Sequence, residues 1–378
     1  MAVPTRPRLR TQYYLWSEPP DAAGDETLHF ASHRRRVTIK GQSFREFERL
    51  VVPLLDGRHT IEEIESRVAH VFAPTDLARS LELLAGQGLL DDVGENGDGG
   101  GGSTPQDRFF TELGVDASAV AARLAAARVL VLGLGAVGAG VAQALARAGV
   151  GALQCLDSAP VGAADVALSA LFDGGDVGTP RARAVARALS SATRTRVEVI
   201  DALPATDDEL AGMVSGTGEG ERVDCIVSCL DTGWSWLQYR LNRACLAAGI
   251  PWTTGALAGT EIVMGPTVRP HETACWLCYK MRLVACATSP AEEFAFERML
   301  DRRKRDDAER HEGLVFGAGL LSNQLGLEVV KLLSGIVAPS ALGRIVVTDL
   351  LALTTTRHTV LRKPWCPDCF PAATAGPA

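Results

Sequence analysis

Two pairs of cysteines stand out by their spacing: Cys275 and Cys278 in CWLC, and Cys366 and Cys369 in CPDC, with 87 residues between the pairs. Four thiolates so arranged suit a closed tetrahedral site for a structural zinc ion. Without a metal, each pair reads as two unrelated core or redox cysteines. A thioredoxin-like role needs a pair at the start of a helix after a strand, and neither run carries that pattern. Cys155, Cys225, Cys229 and Cys245 fall in apolar strand or helix patterns and read as core. Cys286 also lies in an apolar run, with His271 fifteen residues earlier, and is expected to be a small buried hydrophobe, not a nucleophile.

A second candidate site opens at residues 128–132 (RVLVL), which pass into Gly133-Leu-Gly135-Ala-Val-Gly138 and an Ala-rich run. Strand, GxGxxG and helix in that order let the backbone approach a phosphate at a helix N-terminus. Residues 153–156 then end in Asp157, at the distance where an acid meets a ribose hydroxyl. On these features alone a nicotinamide oxidoreductase stays open.

The elements that hold these residues belong to a chain of 378 residues, 47% hydrophobic, with mean hydropathy +0.09, enough for two or three domains. A formal charge of −7 argues against a general nucleic-acid binder, and Arg34, Arg35 and Arg36 read as a solvated strand edge. No apolar run reaches the roughly 18 residues that span a bilayer, and the first residues lack an apolar signal core, so the expectation is a cytoplasmic protein without membrane contact. The run GENGDGGGGS at 94–103 predicts a flexible linker over 94–104, between a small domain at 1–93 and α/β material at 105–378.

In the small domain, alternation at 27–31 and 35–40 predicts short strands. Ser43 with Glu46 predicts a capping box before a helix carrying Phe44, Phe47, Leu50, Val51 and Leu54, which Pro53 ends near residues 55–57. Thr60 with Glu63 predicts the cap of a second helix, and a third follows Pro74 with Leu77, Leu81 and Leu84 on one face. Strands with three short helices make a winged helix-turn-helix, whose plainest readings are DNA binding or structure alone. The run VTIKGQSFREFERLVVPLLDGRHTIEEI, followed by a helix ending GQGLLDD, resembles PqqD-like peptide-recognition domains of ribosomal peptide modification systems. That resemblance implies capture of a leader peptide as an added strand. The groove it implies is lined by Val37, Ile39, Leu77, Ser80, Leu81 and Leu84.

The large region resembles the ThiF/MoeB, ubiquitin-activating-like family over nearly its whole length. The resemblance rests on VLGLGAVGAGVAQALARAGVGALQCLD, DVGTPRARAVA, VDCIVSCLD, GAGLLSNQLGLEVVKLLSG and the two cysteine knuckles. It implies a Rossmann-like α/β fold stapled by zinc, usually dimeric, with Gly133, Gly135, Gly138, Asp157, Arg181 and Asp231 at the positions of an ATP site. Two departures bear on activity: Leu168 stands where the family carries an Arg finger, and Arg181 where it carries a Lys. Loss of a cation that stabilises charge in phosphoryl-type chemistry costs orders of magnitude in rate, which argues against adenylation. The run CWLCYKMR and the PqqD-like domain ahead of it are similar to family relatives that accompany azoline-forming YcaO enzymes. By that resemblance the chain is a leader-peptide-binding partner of a YcaO-type cyclodehydratase, acting on a ribosomally made peptide. The competing expectation is an ATP-dependent adenylating enzyme acting on a peptide or carrier-protein carboxylate.

Overall fold

Glu26, at the head of a short antiparallel strand, accepts a backbone N–H at the start of the helix that follows the sheet. The structure is a computed structural model and describes residues 4–93, 104–217, 221–230, 233–303 and 313–370. The chain divides into two compact units, Met1–Ala117 and Ser118–Ala378. In the first, β1 (Pro7–Leu9) is followed by a meander of β2 (Tyr14–Glu18), β3 (Glu26–Ala31) and β4 (Arg36–Gly41), paired antiparallel in that order. Then come α1 (Phe44–Leu50), a 3-10 turn at Val52–Leu54, α2 (Ile61–Val68), α3 (Pro74–Gly86), β5 (Leu90–Asp92) and α4 (Pro105–Glu112). β5 returns antiparallel to β1.

Period-two alternation sends Leu28 and Phe30 of β3 into a core shared with Phe47, Val51, Ile64, Leu77, Leu81 and Leu84. The Thr60–Glu63 capping box forms as its spacing predicts. The Ser43 box does not. Ser43 takes a left-handed conformation (φ 61°) with no side-chain cap, and the buried Glu26 carboxylate instead accepts the Arg45 N–H at 2.9 Å. A carboxylate at the helix N-terminus does the same work from a distant strand. Residues 94–103, where a linker is expected, lie outside the described residues.

The second unit begins with α5 (Ala117–Ala126) and β6 (Arg128–Leu132), then α6 (Ala136–Arg147), β7 (Ala152–Leu156), α7 (Ala163–Leu168), α8 (Arg181–Ala192), β8 (Arg196–Ile200) and α9 (Asp207–Ser215). It continues through β9 (Cys225–Ser228), α10 (Ser235–Ala248), β10 (Trp252–Ala258), β11 (Glu261–Met264), α11 (Trp276–Cys286) and α12 (Pro290–Arg303), and closes with α13 (Val315–Ser334), β12 (Arg344–Asp349) and β13 (Thr355–Thr359). One eight-stranded sheet runs β13-β12-β11-β10-β9-β6-β7-β8. Its β10-to-β8 part is parallel and the rest antiparallel. β6 and β9 are buried along nearly their whole length, as strands covered on both faces must be. Strand order reverses beside β6, which makes the carboxyl end of β6 the switch point where α/β sheets bind ligands.

The small residues of α13 explain how closely it approaches α6. A Cβ at Gly140 would stand 2.5 Å from Ser322 Oγ, and one at Gly326 would stand 3.1 Å from the Ala144 Cβ. Among the described residues no helix is long and apolar enough to cross a membrane.

Candidate nucleotide site and cysteine centre

The glycine loop is built for close packing. Gly133 sits at φ 84°, and a Cβ there would fall 2.7 Å from the Cys229 carbonyl oxygen, so only glycine fits. A Cβ on Gly138 would stand 1.8 Å from the Gly133 carbonyl oxygen, and Gly135 is the N-cap of α6. These are the turns that the sequence pattern implies. What lies in front of the loop differs from a nucleotide cradle.

Asp157 is buried, and its carboxylate is already engaged. Oδ2 accepts the Leu134 N–H at 2.7 Å and Oδ1 accepts the Ala159 N–H at 2.8 Å. Arg181, at the first position of α8, does not reach outward. Its Nε and Nη2 donate to the two oxygens of Asp165 at 2.8 and 2.9 Å, a two-pronged pair, while Nη1 lies 3.4 Å from Asp157. Asp165 also accepts the Gly162 N–H at 2.9 Å, which fixes it at the start of α7. The side chains of Arg181, Asp157 and Asp165 are only 11%, 11% and 4% exposed. One guanidinium therefore faces two carboxylates in a water-poor site, and a forked carboxylate satisfies the geometry that a phosphate would claim.

The remaining cavity, lined by Gly133, Asp157, Arg181, Leu203, Leu230 and Trp234 among others, holds about 50 Å³. Sites for organic ligands are larger, roughly 300 Å³ or more. Leu168 ends α7 half-buried and brings no cation. Asp231, at the family's acidic position, lies outside the described residues. Among the described residues, the cation offered to a phosphate is engaged by Asp165.

The cysteines do converge. Cys275 is the N-cap of α11, Cys278 lies one turn on, and Cys366 and Cys369 come from the segment after β13. All four are buried with their sulfurs within 4.8 Å of one another, and three pairs stand 3.5 to 3.8 Å apart. A tetrahedron with metal–sulfur arms of roughly 2.3 Å has edges of about 3.8 Å, so the set can hold a metal ion. Hydrogen bonding from the Cys275 thiol, and then from the Lys363 N–H, holds Cys278 below the usual thiol range against the opposing effect of burial. Burial, and then the Cys278 sulfur, push Cys369 up to about 12. Cys155 is pushed to about 12 by burial alone, in keeping with a core position. Cys286 is exposed at the last position of α11, which corrects the expectation of a buried residue: the apolar run that ends the helix faces solvent, with Leu283 exposed as well.

One residue that sequence patterns miss ties the two knuckles together. Asn242 of α10 is fully buried; its Oδ1 accepts the Trp276 N–H at 3.1 Å and its Nδ2 donates to Asp368 at 2.7 Å. Each CxxC loop thus hangs on the same side chain. Asn242→Leu is expected to cost about 1–3 kcal/mol by orphaning both partners. For a unit of this size that lowers the melting temperature by roughly 2–12 °C. Thermal unfolding followed by circular dichroism checks this, and an unchanged midpoint contradicts it.

In the small unit, Leu77, Leu81 and Leu84 are 0–2% exposed inside the core, so they do not line an open groove as the helix face suggested. An apolar helix face seen in sequence cannot separate core from groove. Val37, Ile39 and Ser80 are partly exposed. β4 pairs with β3 alone among the described residues, which leaves its other edge open.

Residues 108–368 match the ThiF family. The chain belongs to the ThiF family. This ThiF-family chain is also similar in fold, along nearly its whole length, to solved structures. Escherichia coli MccB with ATP is 15% identical at TM-score 0.60, covering 96% of this chain and 99% of that one. The microcin C7 biosynthetic enzyme MccB in complex with N-formylated MccA is 16% identical at TM-score 0.62 with the same coverage. PaaA is 16% identical at TM-score 0.62, covering 94% of this chain and 100% of that one. Comparison with curated protein sequences gave no match.

Proposed function

We propose that this ThiF-family protein captures the leader peptide of a ribosomally made precursor and serves, as a homodimer, a YcaO-type cyclodehydratase that forms azolines in the precursor's core. In this reading the four cysteines hold a structural zinc ion, which links segments far apart in sequence and does no chemistry on the substrate. The carrying observation is the open edge of β4, with Val37 and Ile39 half-exposed on the strand and Ser80 half-exposed on α3. An extended peptide gains backbone hydrogen bonds from such an edge and selectivity from pockets for alternate side chains. The MccB complex with N-formylated MccA is a precedent, on a similar fold, for a bound biosynthetic partner.

The test is fluorescence polarisation of the full chain with a labelled leader peptide of the proposed precursor. Ile39→Glu places a charge on the proposed binding edge and is expected to weaken binding at least tenfold, about 1.4 kcal/mol or more. Thr38→Asp, on the exposed opposite face of β4, is expected to leave binding near wild type. Both variants must keep the wild-type circular dichroism spectrum. A folded Ile39→Glu protein that binds normally counts against the assignment.

A second reading has support from the solved MccB structure with ATP: an adenylating enzyme acting on a peptide carboxylate. Peptide-dependent exchange of pyrophosphate into ATP by the purified chain, lost on Asp231→Asn, would establish it. No exchange is expected, because Arg181 is held by Asp165.

A further inference from the structure

We infer that Asp165 is the residue that excludes nucleotide from the switch-point site: its carboxylate occupies Arg181 as a phosphate would, and neutralising it reopens the site to a nucleoside triphosphate. The inference deepens the non-adenylating part of the proposed function and is independent of peptide capture by β4.

Four observations on one cavity carry it. Arg181 is forked onto Asp165 at 2.8 and 2.9 Å, which uses the two-pronged face a phosphate needs. Asp165 is 4% exposed and anchored by the Gly162 N–H, so it is not a mobile surface charge that an incoming anion can brush aside. The Leu134 N–H of the glycine loop is spent on Asp157 at 2.7 Å. At the other side of the cavity, next to its lining residue Trp234, the Ser235 N–H that opens α10 donates to Asp301 at 3.0 Å. The chain thus meets its anion-accepting groups with its own carboxylates. Among the described residues, the Arg181 guanidinium faces the carboxylates of both Asp157 and Asp165. Asp165→Asn keeps the size and an oxygen for the Gly162 N–H but removes the charge, freeing Arg181 from its stronger partner.

The test uses the full chain and a fluorescent N-methylanthraniloyl ATP with Mg²⁺. Wild type is expected to show no saturable binding below about 1 mM, and Asp165→Asn to bind at least tenfold more tightly than that limit. Asp165→Asn with Arg181→Ala is expected to return to the wild-type result, a reversal that mere loosening of the loop does not produce. Asp165→Ser, which also removes the charge, replaces Asp165→Asn if the latter does not fold. Tight binding by wild type, or absence of binding by a folded Asp165→Asn or Asp165→Ser protein, overturns the inference. Leader affinity, measured on the same samples, reports separately on peptide capture.

Discussion

Cys366→Ser is expected to release a metal bound by the four cysteines and to lower the melting temperature by about 10 °C. The four sulfurs bring α11 together with the segment after β13, and a metal held there would join the two across the intervening 87 residues. Binding energy for such an ion is folding energy, roughly 10 kcal/mol or more in small zinc domains. Here the surrounding core, with Trp252, Leu241 and Val268 buried beside the knuckles, retains much of the fold without the ion. A loss of about 3–5 kcal/mol at 2–4 °C per kcal/mol gives the stated shift. Metal analysis of wild-type protein purified without chelator is expected to find one zinc per chain, and the variant none. Wild-type protein with no metal and an unchanged midpoint in Cys366→Ser would remove the zinc from the account.

The second large effect concerns catalysis by the partner. In a reconstituted mixture of chain, YcaO enzyme and precursor, a core peptide lacking its leader is expected to be cyclised roughly 100-fold or more slowly than the full precursor at equal micromolar concentration. Under the proposed function, holding the leader raises the core's local concentration to roughly the millimolar range, an advantage that disappears when the leader is absent. A free leader peptide added in excess is expected to slow the full precursor by competing for β4. Equal rates with and without leader would show that capture by this chain does not drive the reaction.

Local signals were legible where both partners lie within a turn of each other. Thr60 and Glu63 form their box because the contact needs only three residues of helix, and the GxGxxG turn holds because Gly133 and Gly138 have no room for a side chain. The cysteine spacing fixed which residues share a centre, since the two CxxC runs supply the right number and type of ligands. Signals failed where a distant residue took over. Glu26 caps α1 in place of Ser43 from a strand nineteen residues earlier, and Asn242 reaches both knuckles from another helix. Leu77, Leu81 and Leu84 share a face in sequence, but a periodicity of 3.6 says only that a face is apolar, and here it faces the core. The Asp165–Arg181 pair had a partial signal, an acid at the third position of a helix after Gly162, yet its meeting with Arg181 depends on how α7 and α8 fold together. β1 and β5, three residues each, are too short to carry a pattern.

A precursor's leader is proposed to join the sheet of the small unit at β4. Hydrogen–deuterium exchange of the full chain, with and without saturating precursor, tests it directly, because an added strand covers amides on the open edge and slows their exchange. The account predicts slowed exchange confined chiefly to residues 36–41 of β4 and the adjoining face of α3. Slowed exchange within residues 118–378 alone, with the amides of 36–41 unchanged at full occupancy, would contradict it.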